Sequence, residues 1–199
     1  MNSFIKRRQF IAGSTVAMLL LTAPERAMAF SVENAKKLIG RVVADINSII
    51  NSGKTEAAML RDFEQIFVNY ADVKWVSQLV LGADGRSASA AQKAAFAKAF
   101  QGYISRKYGK RFREFIGGSV SVKKAKAIKS FYEVTTIAVL KGEAPFEVVF
   151  VVADKNGRFI DMKIEGISLV KAERTEIGAM LDKRRGDLDQ MIADVKKAG

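Results

Sequence analysis

The chain has 199 residues and contains neither cysteine nor histidine. That removes Ser-His-Asp and Cys-His catalysis, zinc sites built on those side chains, and thiol redox chemistry, and it leaves the fold to stand without disulfides. Lys and Arg number 33 against 21 Asp and Glu, a formal net charge of +12. Such a balance points to anionic partners, which are nucleic acid in a cytoplasmic protein and lipid headgroups or an acidic protein in an exported one.

Residues 1–29 read as a cleaved export signal. Lys6, Arg7 and Arg8 form a charged start, and Ile11 to Leu21 is an apolar run too short to span a bilayer. Ala27-Met28-Ala29 is a small-x-small cleavage site that sets the mature start at Phe30. Arg7-Arg8-Gln9-Phe10-Ile11 further fits a twin-arginine signal, which exports proteins already folded. The expected location is the bacterial periplasm. The signal holds four basic residues and one acidic, so the mature chain, residues 30–199, keeps 29 and 20 and a net charge of +9. Its length suits one domain.

Four helical segments come first. Ser31 to Asn51 carries Ala35, Leu38, Ile39, Val42, Val43, Ile46, Ile49 and Ile50 at three- and four-residue steps, and Asn51-Ser52-Gly53 ends it. A second helix is expected over 55–67 and a third over 72–81, with Asp72 as N-cap and Gly82 as stop. Ser89 and Gln92 make a capping box that opens a fourth, bearing Phe96, Phe100, Tyr103, Ile104 and Tyr108 on one face.

The period changes after Gly117-Gly118. Val120 and Val122 alternate with polar neighbours, and Phe131 to Val139 and Phe146 to Val152 are rich in β-branched and aromatic residues. Lys141-Gly142-Glu143 and Asp154-Lys155-Asn156-Gly157 are the intervening turns. Phe159 to Leu169 is expected as the fourth strand, with Ile160, Met162 and Ile164 on one face and Asp161, Lys163 and Glu165 on the other. Two helices, about 171–181 and 187–197, close the chain. Helices, then an antiparallel four-stranded meander, then helices give an α+β fold. In Val148 to Val152 both faces are apolar, so either helices cover both sides of the sheet or one side lines a cavity.

No catalytic constellation and no metal site stands out. Gly53-Lys54-Thr55 lacks the earlier glycine of a phosphate loop, since Ser48 occupies that position, and it follows a helix. Ser-x-x-Lys occurs at Ser3/Lys6, Ser121/Lys124 and Ser168/Lys171 without companion motifs. Asp161 and Glu165 read as members of a charge-paired outer face. Basic residues cluster at Arg106, Lys107, Lys110, Arg111 and Arg113, at Lys123, Lys124, Lys126 and Lys129, and at Lys183, Arg184 and Arg185.

Three segments together resemble a known family. These are Val80-Leu81-Gly82 with Arg86 and the capped helix beyond; Pro145-Phe146-Glu147-Val148-Val149-Phe150; and Asp161-Met162-Lys163-Ile164-Glu165-Gly166-Ile167-Ser168-Leu169-Val170 with Arg174. They are similar to the MlaC, or toluene-tolerance, family of periplasmic phospholipid carriers of the maintenance-of-lipid-asymmetry (Mla) pathway. The resemblance implies a non-enzymatic shuttle without a cofactor, whose cargo is phospholipid held with its acyl chains in an apolar cavity. Its implied partners are an inner-membrane ABC transporter with an MCE-domain subunit and an outer-membrane lipoprotein–porin complex. On that reading the cavity-lining candidates are Val134, Thr136, Ala138, Val148, Phe150, Met162 and Ile164 from the sheet and Phe100, Ile104 and Tyr108 from the fourth helix. Candidate headgroup contacts are Arg106, Lys107 and Arg174. Two other readings compete: a periplasmic enzyme using paired carboxylates, and a non-lipid adaptor that docks an acidic partner through its basic surface.

Overall fold

The structure is a computed structural model that describes residues 30–109 and 112–199. Helix α1 (Val32–Ile50) starts where the Ser31 side chain accepts the Asn34 amide, and its apolar stripe is buried. Then come α2 (Glu56–Tyr70) and α3 (Val73–Leu81), the latter capped by Asp72 accepting from the Trp75 amide at 2.9 Å. Gly82 stops α3 at φ +59°, the left-handed region that glycine enters without strain. A 3-10 turn, Asp84–Arg86, leads to α4 (Ala90–Gly109). Both halves of the predicted capping box are present: the Gln92 amide donates to Ser89 Oγ at 3.1 Å, and the Ser89 amide donates to Gln92 Oε1 at 3.0 Å. The short α5 (Phe112–Phe115) precedes the sheet.

The sheet is an antiparallel meander in the order β1 (Ser119–Ile128), β2 (Phe131–Val139), β3 (Phe146–Ala153), β4 (Phe159–Ile164) and β5 (Ile167–Ser168). It has five strands where the sequence reading expected four. Glu165 and Gly166 both take positive φ, +49° and +84°, between the paired residues Ile164 and Ile167. Two consecutive positive-φ residues make a tight hairpin turn, so the segment read as one strand to Leu169 is two. Leu169 then opens α6 (Leu169–Lys183), and α7 (Leu188–Val195) ends the fold under the Asp187 cap. The Ser168 of the third Ser-x-x-Lys pattern is the α6 N-cap, accepting the Lys171 amide at 3.2 Å.

A second difference lies in β4. Val152 pairs with Phe159 and Val151 with Asp161, which leaves Ile160 as the extra residue of a bulge. The expected alternation of Ile160, Met162 and Ile164 therefore breaks. Phe159, Met162 and Ile164 pack on one side of the sheet, and Ile160 joins the other.

Two cores sandwich the sheet. The first joins Ile39, Val42, Val43 and Ile50 of α1 and Phe63 and Ile66 of α2 to Val134, Ala138, Val148, Phe150 and Val152. The second gathers α3, α4, α6 and α7 through Val80, Phe96, Phe100, Ile177, Leu181, Met191 and Val195, and meets the sheet at Ala153 and Ile160. Strand β3 is apolar on both faces because each faces a core. On the edge strand β1, the Asn47 amide of α1 donates to the Val120 carbonyl and accepts from its N–H, both at 2.9 Å, standing in for a neighbouring strand. Among the described residues no helix is long and apolar enough to cross a membrane.

Candidate functional site: an apolar cavity between sheet and helices

The first core is not filled. A cavity of about 500 Å³ opens between the inner sheet face and the helices, within the roughly 300–1,000 Å³ of sites that take small organic ligands. Register builds its sheet wall: Thr136, Val148 and Ile164 form one row across β2, β3 and β4, Phe150 and Met162 share the next, and Ala138 pairs with Phe146. Val42 and Ile46 of α1, Phe63, Ile66 and Phe67 of α2, Val76 of α3, and Ile104 and Tyr108 of α4 complete the enclosure. The exposed residues Glu143, Ala144 and Pro145 of the β2–β3 loop and Glu165 of the β4–β5 turn mark the mouth.

Polar atoms in the wall are already satisfied. Thr136, fully buried, donates its hydroxyl to the Val148 carbonyl at 2.9 Å, so it turns a methyl to the cavity. Ser105 donates to the Leu60 carbonyl at 3.2 Å. Asp161 accepts the Met162 amide at 2.8 Å, the Val170 amide at 3.0 Å and the Ser168 hydroxyl at 2.6 Å. It ties β4 to the start of α6 instead of belonging to a charge-paired outer face. That face does exist nearby, where Lys163 and Lys126 reach Glu133 at 2.6 and 3.2 Å. The hydrogen bond from Lys163, with Lys126 assisting, holds the Glu133 carboxyl below the usual range against the opposing effect of burial. A wall of this kind suits an apolar guest.

The family described as MlaC protein matches residues 39–197. The chain belongs to the MlaC family. A solved structure described as the phospholipid-binding protein from Ralstonia solanacearum, in complex with a phospholipid, superposes with a TM-score of 0.65. It is 20% identical, and the match covers 84% of this chain and 99% of that one. The likeness is one of fold.

With the MlaC fold in view, the candidates divide. Thr136, Ala138, Val148, Phe150, Met162, Ile164, Ile104 and Tyr108 line the cavity. Val134 shares a row with Phe150 and Met162 but is fully buried in the first core without lining the cavity. Phe100 is elsewhere, in the second core, stacked on Phe96 at 5.6 Å and 6.1 Å from Tyr103. At about 100° per residue, Phe96, Phe100 and Tyr103 share a stripe about 60° wide, while Ile104 and Tyr108 lie about 80° and 120° round from Phe96. The single face expected for α4 is two adjoining faces of the second core, of which the one bearing Ile104 and Tyr108 also borders the cavity.

Two of the three basic candidates, Arg106 and Lys107, are held by bonds within the protein. Arg106 donates to the Ala198 carbonyl at 2.9 and 2.7 Å and to the Val195 carbonyl at 3.1 Å, capping α7. Arg174 is exposed, with its guanidinium over Gly82, where a Cβ would lie 2.3 Å from Nη2. Lys107 donates to Glu173 Oε1 at 2.8 Å, to the Tyr103 hydroxyl at 3.0 Å, and to Glu176. Burial opposes the Lys107 charge, but its bonds to Glu173 and Glu176 outweigh this and hold the ammonium above its usual range. The bond from Lys107 in turn holds the Glu176 carboxyl low, and burial together with Glu176 and Glu173 pushes the Tyr103 phenol up. The Tyr108 hydroxyl also donates to Glu173 Oε1, so this cluster adjoins the cavity wall. Among the described residues the charged side chains that line the cavity are Glu114, Glu143, Asp161 and Glu165.

Sequence reasoning missed the walls supplied by α1, α2 and α3. The signal was present in Val42 and Ile46, and in Phe63 and Phe67 four residues apart, but periodicity marks a buried face and does not say whether atoms or space stand opposite it. Among the described residues no group of three or more Asp or Glu is placed to hold a metal ion.

Proposed function

We propose that this MlaC-family chain is a periplasmic carrier of phospholipid, holding the acyl chains in the cavity and the headgroup at its mouth. The observation that carries this is the apolar cavity between sheet and helices. A phospholipid with two chains brings about 30 methylenes, which at ~0.8 kcal/mol each makes exposure to water cost roughly 24 kcal/mol. A shuttle between membranes must match that with an apolar cavity wall, and Thr136 and Ser105 in that wall spend their hydroxyls on backbone carbonyls. The Ralstonia solanacearum protein of the same fold, described as bound to a phospholipid, supports the same assignment. On this reading the signal of residues 1–29 exports the carrier to the periplasm, where its partners are an outer-membrane lipoprotein–porin complex and an inner-membrane ABC transporter with an MCE-domain subunit. No bond of the lipid is made or broken in this role.

Native mass spectrometry of the protein purified from a bacterial periplasm, followed by extraction, tests the proposal. One phospholipid per chain supports it and names the headgroup. Protein that is empty, and that refuses labelled phospholipid under conditions where a control carrier loads, overturns it in favour of an adaptor role.

A further inference from the structure

Phe30 is built into the fold. Its ring meets Tyr132 edge-on, with centroids 5.5 Å apart and planes at 61°. Gly157, in the β3–β4 turn at φ +59°, makes room for it, since a Cβ there would stand 2.5 Å from Phe30 Cε2. The Phe30 carbonyl accepts the Tyr132 hydroxyl, and that hydroxyl also lies 3.1 Å from Asp154 Oδ1. Three oxygens thus gather around a single hydroxyl proton, and one of them carries a carboxylate's charge. The exposed Asp154 carboxylate stands one hydroxyl away from the Phe30 backbone, an arrangement that a cation on that backbone would complement.

We propose that the cation is the α-ammonium of Phe30 itself, created by cleavage after Ala29 and held by Asp154. Hydrolysis of the Ala29–Phe30 amide by a signal peptidase consumes one water. Hydroxyl goes to the Ala29 carbonyl carbon and hydrogen to the Phe30 nitrogen, which takes a further proton at neutral pH because a free α-amine titrates near 7.7–8.0. The uncut chain offers one neutral N–H at this place; the cut chain offers three donors and a positive charge. Only Ser31, the α1 N-cap, separates Phe30 from the helix, so the new charge sits beside the positive end of the α1 dipole. Asp154 supplies the anion that offsets both. Processing thereby completes the anchor of α1, whose Val42 and Ile46 wall the cavity. This inference rests on the export reading and is independent of the cargo.

The test starts from cells expressing the full chain with its own signal. Intact mass of the periplasmic protein is expected to begin at Phe30. Thermal unfolding is then compared between this protein and one with a serine inserted between Ala29 and Phe30, each with Asp154 and with Asp154→Asn. The insertion displaces the ammonium and is expected to lower Tm by roughly 1–4 °C, a gap that shrinks in high salt and disappears in the Asp154→Asn background. An amino terminus elsewhere, equal Tm with and without the insertion, or a gap that survives Asp154→Asn overturns the proposal. Lipid extracted from the same sample reports separately on the carrier reading: an empty protein with an Asp154-dependent gap sinks the carrier and supports the anchor.

Discussion

A single side chain decides most where the cavity wall is thinnest in alternatives. Val148 lies in the central strand of the sheet, flanked by Thr136 and Ile164 in its row, with nothing polar free to receive a charge. Val148→Asp is expected to cut phospholipid uptake more than tenfold, because burying an unpaired carboxylate costs several kcal/mol; extracted lipid per chain measures it, with far-ultraviolet circular dichroism confirming the fold. Arg106 is the contrasting case. Its three bonds to the Val195 and Ala198 carbonyls serve the end of α7, on the side away from the cavity. Arg106→Ala should destabilise the protein by about 1–3 kcal/mol in urea unfolding and leave lipid uptake unchanged. Loss of uptake at full stability would instead assign Arg106 to the headgroup. Its positive charge was legible in the sequence; the carbonyls that claim it come from residues 89 and 92 positions further along the chain and were not.

Among the elements, the strands repay attention to their edges and irregularities. The lysines at 123, 124, 126 and 129 raised an anionic partner from sequence alone. The first three lie along the edge strand β1 and Lys129 in the turn that follows it, and Lys123 is the extra residue of the β1 bulge between Val122 and Lys124. Charge and a bulge on an edge strand prevent pairing with other chains, so the fold accounts for this cluster without a partner. On the outer face of the sheet, Glu133 between Lys163 and Lys126 joins β2 to β4 and β1. Its folded carboxyl titrates below the usual value of about 4.3, so its contribution to stability is present above that value and is lost as pH falls through the folded pKa. Glu133→Gln should therefore lower Tm at pH 7, and the gap from the unmodified protein should close as unfolding is repeated from pH 5 down to pH 3. The Asp72 cap and the Ser89–Gln92 box were legible in sequence because caps are local, each bonding within three residues. The ends of α2 and α6, set by what packs beyond them, ran two or three residues past the expected 55–67 and 171–181. The β4 bulge at Ile160 was not legible, because a bulge is defined by the partner strand.

At the scale of the whole molecule, the two cores divide the work. The second, built from α3, α4, α6 and α7, is closely packed around Phe96, Phe100 and Tyr103. The first borders the cavity, which Val76, Ile104, Ile160 and Leu169 of the second also line, and apolar walls facing open space lack the contacts that a guest would restore. Ligand bound only to the folded state stabilises it by about 2.7 kcal/mol at a hundredfold excess over Kd. Delipidated protein is accordingly expected to unfold several degrees below the loaded form, with reloading restoring Tm; a Tm indifferent to lipid would argue that the cavity is not where the cargo sits.

The class of fold, the order of helices and strands, the caps and the resemblance to the MlaC family were all carried by residues near one another in the chain, because periodicity, capping and turn formation depend on neighbours within a few positions. The extra strand was within reach of the same reasoning, since Glu165-Gly166 is a two-residue turn, but the apolar run on either side concealed it. Tertiary structure alone decided that Ile104 and Tyr108 face a cavity while Phe100, four residues from one and eight from the other, faces solid core. It likewise decided that Arg106 and Lys107 are engaged by the protein's own carbonyls and carboxylates. A buried apolar residue looks the same in sequence whether atoms or empty space lie opposite it, and that difference belongs to the element on the other side.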